Sequence, residues 1–249
     1  MKQWIIAVFC SLILYAVPSI APAQSLADTQ FVTENLVPYN FKEGGLVQGI
    51  GLDALMAALD AVDVKRTPDE VQFYPWARAY YLTLGQPNTC LFVTYRSPER
   101  ETMFKWVGPI TEFRMVVITR KGGQQKDTME KLDASKVGVL RNGAGHQHLM
   151  ARGFSPERLE QSVSVENLIR LLEYGRIDAA FMNDKGARYG MHRNNMNWND
   201  YEIDLVAVQG AVYFAFNLDT PDEIIKELQR GLDIIRDNGT LQRIIKSYQ

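Results

Sequence analysis

Two arginine-bearing stretches stand out as places where residue type and spacing suit the capture of a charged solute. In the first, the apolar run Cys90-Leu91-Phe92-Val93 reads as a short buried strand that stops at Arg96, Glu99 and Arg100. Arginine at a strand end can hold an anion, because guanidinium forks onto a carboxylate with two hydrogen bonds. The same residues also fit a solvated loop with surface ion pairs. In the second, a strand over Val137 to Leu140 runs into Arg141-Asn142-Gly143-Ala144-Gly145 and then a helix from His146 to Arg152. Such a turn exposes backbone N–H groups and the positive end of a helix, both of which favour an anion. The glycine spacing matches neither a dinucleotide fingerprint nor a P-loop, and a plain strand-to-helix turn fits as well.

Other constellations are weaker. Tyr74, Trp76, Tyr80 and Tyr81 surround Arg78. Their helical spacing suits core packing, yet Tyr74 and Trp76 fall where a strand gives way to a helix, the place where α/β sheets bind ligands. His146 and His148 are two apart at a helix start and point to different sides, and His192 is remote, so the three histidines make no metal pattern. No Gly-x-Ser-x-Gly elbow or His-Glu-x-x-His helix occurs. Cys90, inside an apolar strand, reads as inert core.

The elements that must position these residues follow from periodicity. Phe31 to Thr33 and Val71 to Tyr74 read as short strands, with helices over Leu52 to Val62 and Trp76 to Leu84. Gly108-Pro109 reads as a turn before a strand over Met115 to Thr119. Ser164 caps a periodic helix carrying Leu168, Ile169 and Leu172, followed by a strand over Ile177 to Met182. Ile203 to Val208 and Ala211 to Phe216 are two further apolar runs. Thr220-Pro221-Asp222-Glu223 has the form of a capping box opening a helix through Ile235, and a last helix covers Thr240 to Tyr248. Alternating strands and helices imply an α/β fold with largely parallel pairing.

The 249 residues carry nearly balanced charge, with 27 basic and 29 acidic side chains. No basic excess argues for nucleic acid. Lys2, the apolar run from Trp4 to Val17 and Ala21-Pro22-Ala23 form a secretory signal, with cleavage expected after Ala23. That leaves Cys90 as the single cysteine, so no internal disulfide is expected, and no cofactor motif is found.

Five segments resemble the periplasmic solute-binding proteins of the polar amino-acid ABC transporter type, family 3: ENLVPYNF with the following GLVQGIGLD, VTYRSPERETMFKWVGPI, KVGVLRNGAG, LLEYGRIDAAFMND and DNGTLQRIIKSYQ. The pair Trp76-x-Arg78 points to a divergent branch. The resemblance implies a type II two-lobe α/β fold closing on a small solute, a monomer without cofactor that serves a transporter permease from the periplasm. Carried over, Arg100 grips a ligand carboxylate with Thr94 beside it. Arg141, Asn142 and Gly145 form the second-lobe anion loop. Glu34 and Tyr39 form the first-lobe wall, and Tyr74 or Trp76 stacks on the ligand. Two departures stand out. The stretch from Thr94 to Arg100 is one residue longer than usual, and the aspartate that binds an α-ammonium is replaced by Asn183, with Asp184 one further on. An amino acid is nevertheless the expected solute, with an amine-free acid as the other choice.

Lobe one is expected to hold residues 26–115 and 209–249, and lobe two 116–208; a single continuous sheet would count against this division. A lyase resembling cyclohexadienyl dehydratase is the alternative on the same fold. It would need an acid and a base from Glu34, Asp184 and His146. A ligand sensor that feeds no transporter is a third reading.

Overall fold

The computed structural model describes residues 24–248, so the signal segment assigned to residues 1–23 lies outside the described residues. In chain order the elements are β1 (Gln30–Thr33), β2 (Phe41–Glu43), β3 (Leu46–Gln48), α1 (Ile50–Asp60), β4 (Gln72–Phe73), α2 (Trp76–Gly85), β5 (Thr89–Tyr95) and β6 (Lys105–Arg120). The second half continues with α3 (Met129–Asp133), β7 (Val137–Leu140), α4 (Ala144–Ala151), β8 (Leu159–Ser162), α5 (Val165–Glu173), β9 (Ala179–Asn183) and α6 (Asp184–Arg193). The chain then returns through β10 (Tyr201–Phe216) to α7 (Asp222–Asp237) and α8 (Thr240–Lys246).

Eight strands lie in the order β4-β1-β5-β10-β6-β9-β7-β8. At each end three parallel strands are grouped, β4-β1-β5 and β9-β7-β8, and the antiparallel pair β6 and β10 runs between the groups. β6 and β10 stay paired along most of their sixteen-residue lengths, so one curled ladder runs through both halves, which counts against a division into two lobes with separate sheets. The sequence pattern breaks both runs. Gly108-Pro109 does not turn the chain, because a register shift between Val212 and Phe214 absorbs it within β6. Gly108 adopts φ 153°, and a Cβ there would lie 2.4 Å from the Tyr213 ring, so only glycine fits.

Burial explains the sequence pattern. Thr89 to Thr94 of β5 are all buried, since helices cover both faces of the sheet. On α7, Ile224, Leu228, Leu232 and Ile235 form the buried stripe, and on α5 Leu168, Ile169 and Leu172 do. Ser164 caps α5 by accepting from the Asn167 N–H at 3.2 Å. The capping box before α7 does not form: Pro221 takes the cap position without a side-chain bond, and Thr220 Oγ1 is buried without a partner. Three elements carry no clear sequence signal: the β2–β3 hairpin, β8 and the polar helix α6. Among the described residues, no helix is long and apolar enough to cross a membrane.

Candidate functional site

The carboxyl ends of the parallel strands in the two halves face one another. Glu34 follows β1, Tyr74 follows β4, and Arg100 lies in the turn after β5. Opposite them, Arg141 follows β7, Val163 follows β8 and Asn183 ends β9. Side chains beyond these ends line a cleft of about 1100 Å³ and an adjoining pocket of about 770 Å³ beside the crossing strands. Glu34, Trp76 and Met115 line both. Strand ends suit this role because the unpaired backbone beyond them is held on a rigid sheet.

Arg100 is fixed without being neutralised. Its Nη1 donates to the Tyr95 carbonyl at 3.2 Å, and its guanidinium lies over the rings of Trp76 and Tyr80 at 5.2 and 5.5 Å. It has no carboxylate partner among the described residues. The neighbouring Arg96, by contrast, is bound to Glu101. The strand end beside Arg100 is distorted. Tyr213 and Phe214 of β10 pair with Thr94 and Phe92, so Val93 is the extra residue of a bulge and takes φ 58°. A β-branched residue is strained there, and its methyl group packs directly on Gly51, where a Cβ would fall 2.2 Å from it.

Glu34 lies in the same pocket. Burial pushes its carboxyl up to about 7, and the Arg100 guanidinium keeps it from rising further. On the other side, Gly143 N–H closes the turn onto the Leu140 carbonyl at 3.0 Å, and Asn142 takes φ 56°. Arg141 and Asn142 are exposed on the cleft wall. Gly145 is buried, and a Cβ would meet the Phe181 carbonyl at 2.5 Å, so this glycine lets α4 approach β9.

The remaining predicted residues are placed differently. Tyr74 and Trp76 line the cleft; the Tyr74 hydroxyl donates to Gln72 at 2.7 Å, and Arg78 covers its ring at 4.4 Å. Tyr39 is fully buried, with its hydroxyl donating to the Glu112 carbonyl at 3.1 Å, so it lies beneath the wall. Thr94 is also buried, donating to the Leu91 carbonyl at 3.1 Å. Asn183 lines the cleft with both side-chain ends engaged. Its Oδ1 accepts from Gly186 N–H at 2.6 Å, capping α6, and its Nδ2 donates to the Val37 carbonyl at 3.3 Å. Asp184 faces away, paired with Arg114 in a separate cavity of about 620 Å³.

Sequence reading weighs His148 only as a metal ligand and passes over Arg152; both line the pocket that holds Arg100. His148 Nε2 is buried without a partner, and burial together with Arg152 holds the ring below its ordinary pKa. The usable signal was spacing: Ala144, His148 and Arg152 recur every four residues along one face of α4.

Solved structures with the same architecture differ widely in sequence. A histidine kinase sensor domain with similarity to periplasmic binding proteins matches with TM-score 0.66 at 20% identity, over 88% of this chain and 95% of its own. An ancestral arginine-binding protein bound to arginine matches with TM-score 0.64 at 20% identity, over 88% and 97%. The GluR0 ligand-binding core from Nostoc punctiforme in complex with L-glutamate matches with TM-score 0.68 at 13% identity, over 88% and 98%. No family model matches the chain, and no curated protein matches it significantly. With its strand order and these matches over 88% of its length, the chain has the two-lobe α/β fold of the periplasmic binding proteins.

Proposed function

We propose that this chain is an exported receptor that captures a small carboxylate-bearing solute between its lobes and hands it to an ABC-transporter permease in the periplasm as a monomer. The observation that carries the reading is the placement of Arg100. It is a guanidinium fixed by a carbonyl and two rings, without a salt-bridge partner among the described residues, and facing a cleft whose other wall is the Arg141–Gly145 turn. Neighbours of this fold that bind arginine or glutamate support solute capture. The lobe boundary is assigned to the Met115–Val208 pair, which adjoins a register shift in the crossing strands. Native mass spectrometry of the freshly purified chain should find a bound acid. Absence of any co-purified or added acid that binds through Arg100 would reject the reading.

The neighbouring sensor domain supports a second reading, ligand detection without transport. Transport genes beside the coding sequence favour delivery, and a signalling gene favours sensing. For a lyase, Glu34 and His146 line the cleft while Asp184 does not, so turnover of an added ligand tests that alternative against simple binding.

A further inference from the structure

The class of solute follows from which charges are already engaged. An amino acid needs an acceptor for its ammonium group. Asn183 is neutral, and both its polar ends are bonded within the protein. Asp184 is held by Arg114 outside the cleft. Along the wide cleft, Glu43 is paired with Arg193 and Glu166 with Arg170. Glu99 is exposed at the rim of the inner pocket. Glu34 alone is a buried carboxyl on the cleft wall, with the Arg100 charge acting on it. The cations show the reverse pattern. Arg100, Arg141 and Arg152 have no carboxylate partner among the described residues, and Arg100 and Arg152 reach one pocket from opposite lobes.

Building on the receptor reading, we infer that the solute is a small dicarboxylate without an ammonium group, with one end on Arg100 and the other on Arg152. Two guanidiniums that line one pocket from the two halves, with Glu34 as its buried carboxyl and Glu99 held out at the exposed rim, match two carboxylates and disfavour an ammonium. In its protonated form, which burial favours, Glu34 donates its proton to a ligand oxygen, as a buried uncharged carboxyl can. His148 faces the pocket from α4, and burial and Arg152 hold its pKa below the ordinary histidine value, which disfavours a positive charge on the ring.

Matched pairs test this: succinate against L-aspartate, and glutarate against L-glutamate, titrated calorimetrically at fixed salt in buffers of different ionisation enthalpy. The diacid should bind tighter than its amino partner by roughly tenfold or more. It should bind about tenfold tighter at about pH 6 than at about pH 8, with proton uptake, because only the protonated fraction of Glu34 is competent. Glu34→Gln should flatten that profile, and Arg152→Ala should weaken glutarate more than butyrate. Tighter binding of the amino acid, with proton release as Glu34 ionises, would overturn the dicarboxylate assignment and leave the receptor reading standing. Binding of no member of either pair would also overturn it, and the receptor reading then rests on the co-purified solute alone.

Discussion

At the scale of residues, function turns on how Arg100 and Glu34 differ in what surrounds them. Arg100 is held by a carbonyl and two aromatic faces and has no salt-bridge partner among the described residues. Replacing it with alanine leaves a bound carboxylate unpaired, and affinity should fall by an amount on the order of 2–5 kcal/mol in a solute titration, with folding little changed. Glu34 has the opposite problem, a carboxyl whose burial raises it from 4.5 to about 7. Its folded form holds a proton that the unfolded chain has released between those values, so stability falls as pH rises through that window and levels off above it. Glu34→Gln should therefore stabilise the ligand-free protein at pH above about 7, by at most about 3 kcal/mol, and leave it unchanged below about pH 4. Denaturant midpoints across pH check this, and a midpoint difference independent of pH would contradict it. Arg100 was legible in the sequence because it ends an apolar run. The fate of Asp184 was not, because its partner Arg114 lies seventy positions away and only the fold brings them together.

At the scale of elements, the site depends on two distorted or polar segments that periodicity does not reveal. The helix α6 carries two internal glycines and several charges, so no apolar stripe announces it. Yet its first turn is what takes Asn183 out of ligand chemistry. Asn183→Ala should lose the cap and the bond to Val37, lowering stability by about 0.5–2 kcal/mol in chemical unfolding. The bulge at Val93 is equally silent in sequence, since valine is a strand former that sits here in a left-handed conformation. Gly51 accommodates it. Gly51→Ala would drive a methyl group into Val93 and should destabilise by about 1–3 kcal/mol, and Val93→Ala in the same chain should recover part of that loss. By contrast, the strands that precede Arg100 and Arg141 read directly from apolar runs, because burial on both faces leaves unbroken patterns.

At the scale of the whole molecule, the two halves share one ladder through β6 and β10 and also touch beside it. Arg193 pairs with Glu43, Tyr189 packs on Phe41 and Tyr248 at 5.8 and 6.1 Å, and Asn183 reaches Val37. These contacts lie along one flank of the cleft, so closure would pivot about them and about the crossing strands. The α/β alternation was legible in the sequence. The unbroken ladder was not, because Gly108-Pro109 and Gln209-Gly210 resemble turns and only pairing across the strands carries the chain through them. A solute touching both lobes stabilises the closed arrangement by its differential affinity, so small-angle scattering should show a smaller radius of gyration at saturation. The most direct test of the central claim is native mass spectrometry of the freshly purified chain and its Arg100→Ala variant, with the released solute identified. A small acid on the parent chain and none on the variant is the result predicted. Equal occupancy of the two, or a bound solute with no carboxylate, would contradict it.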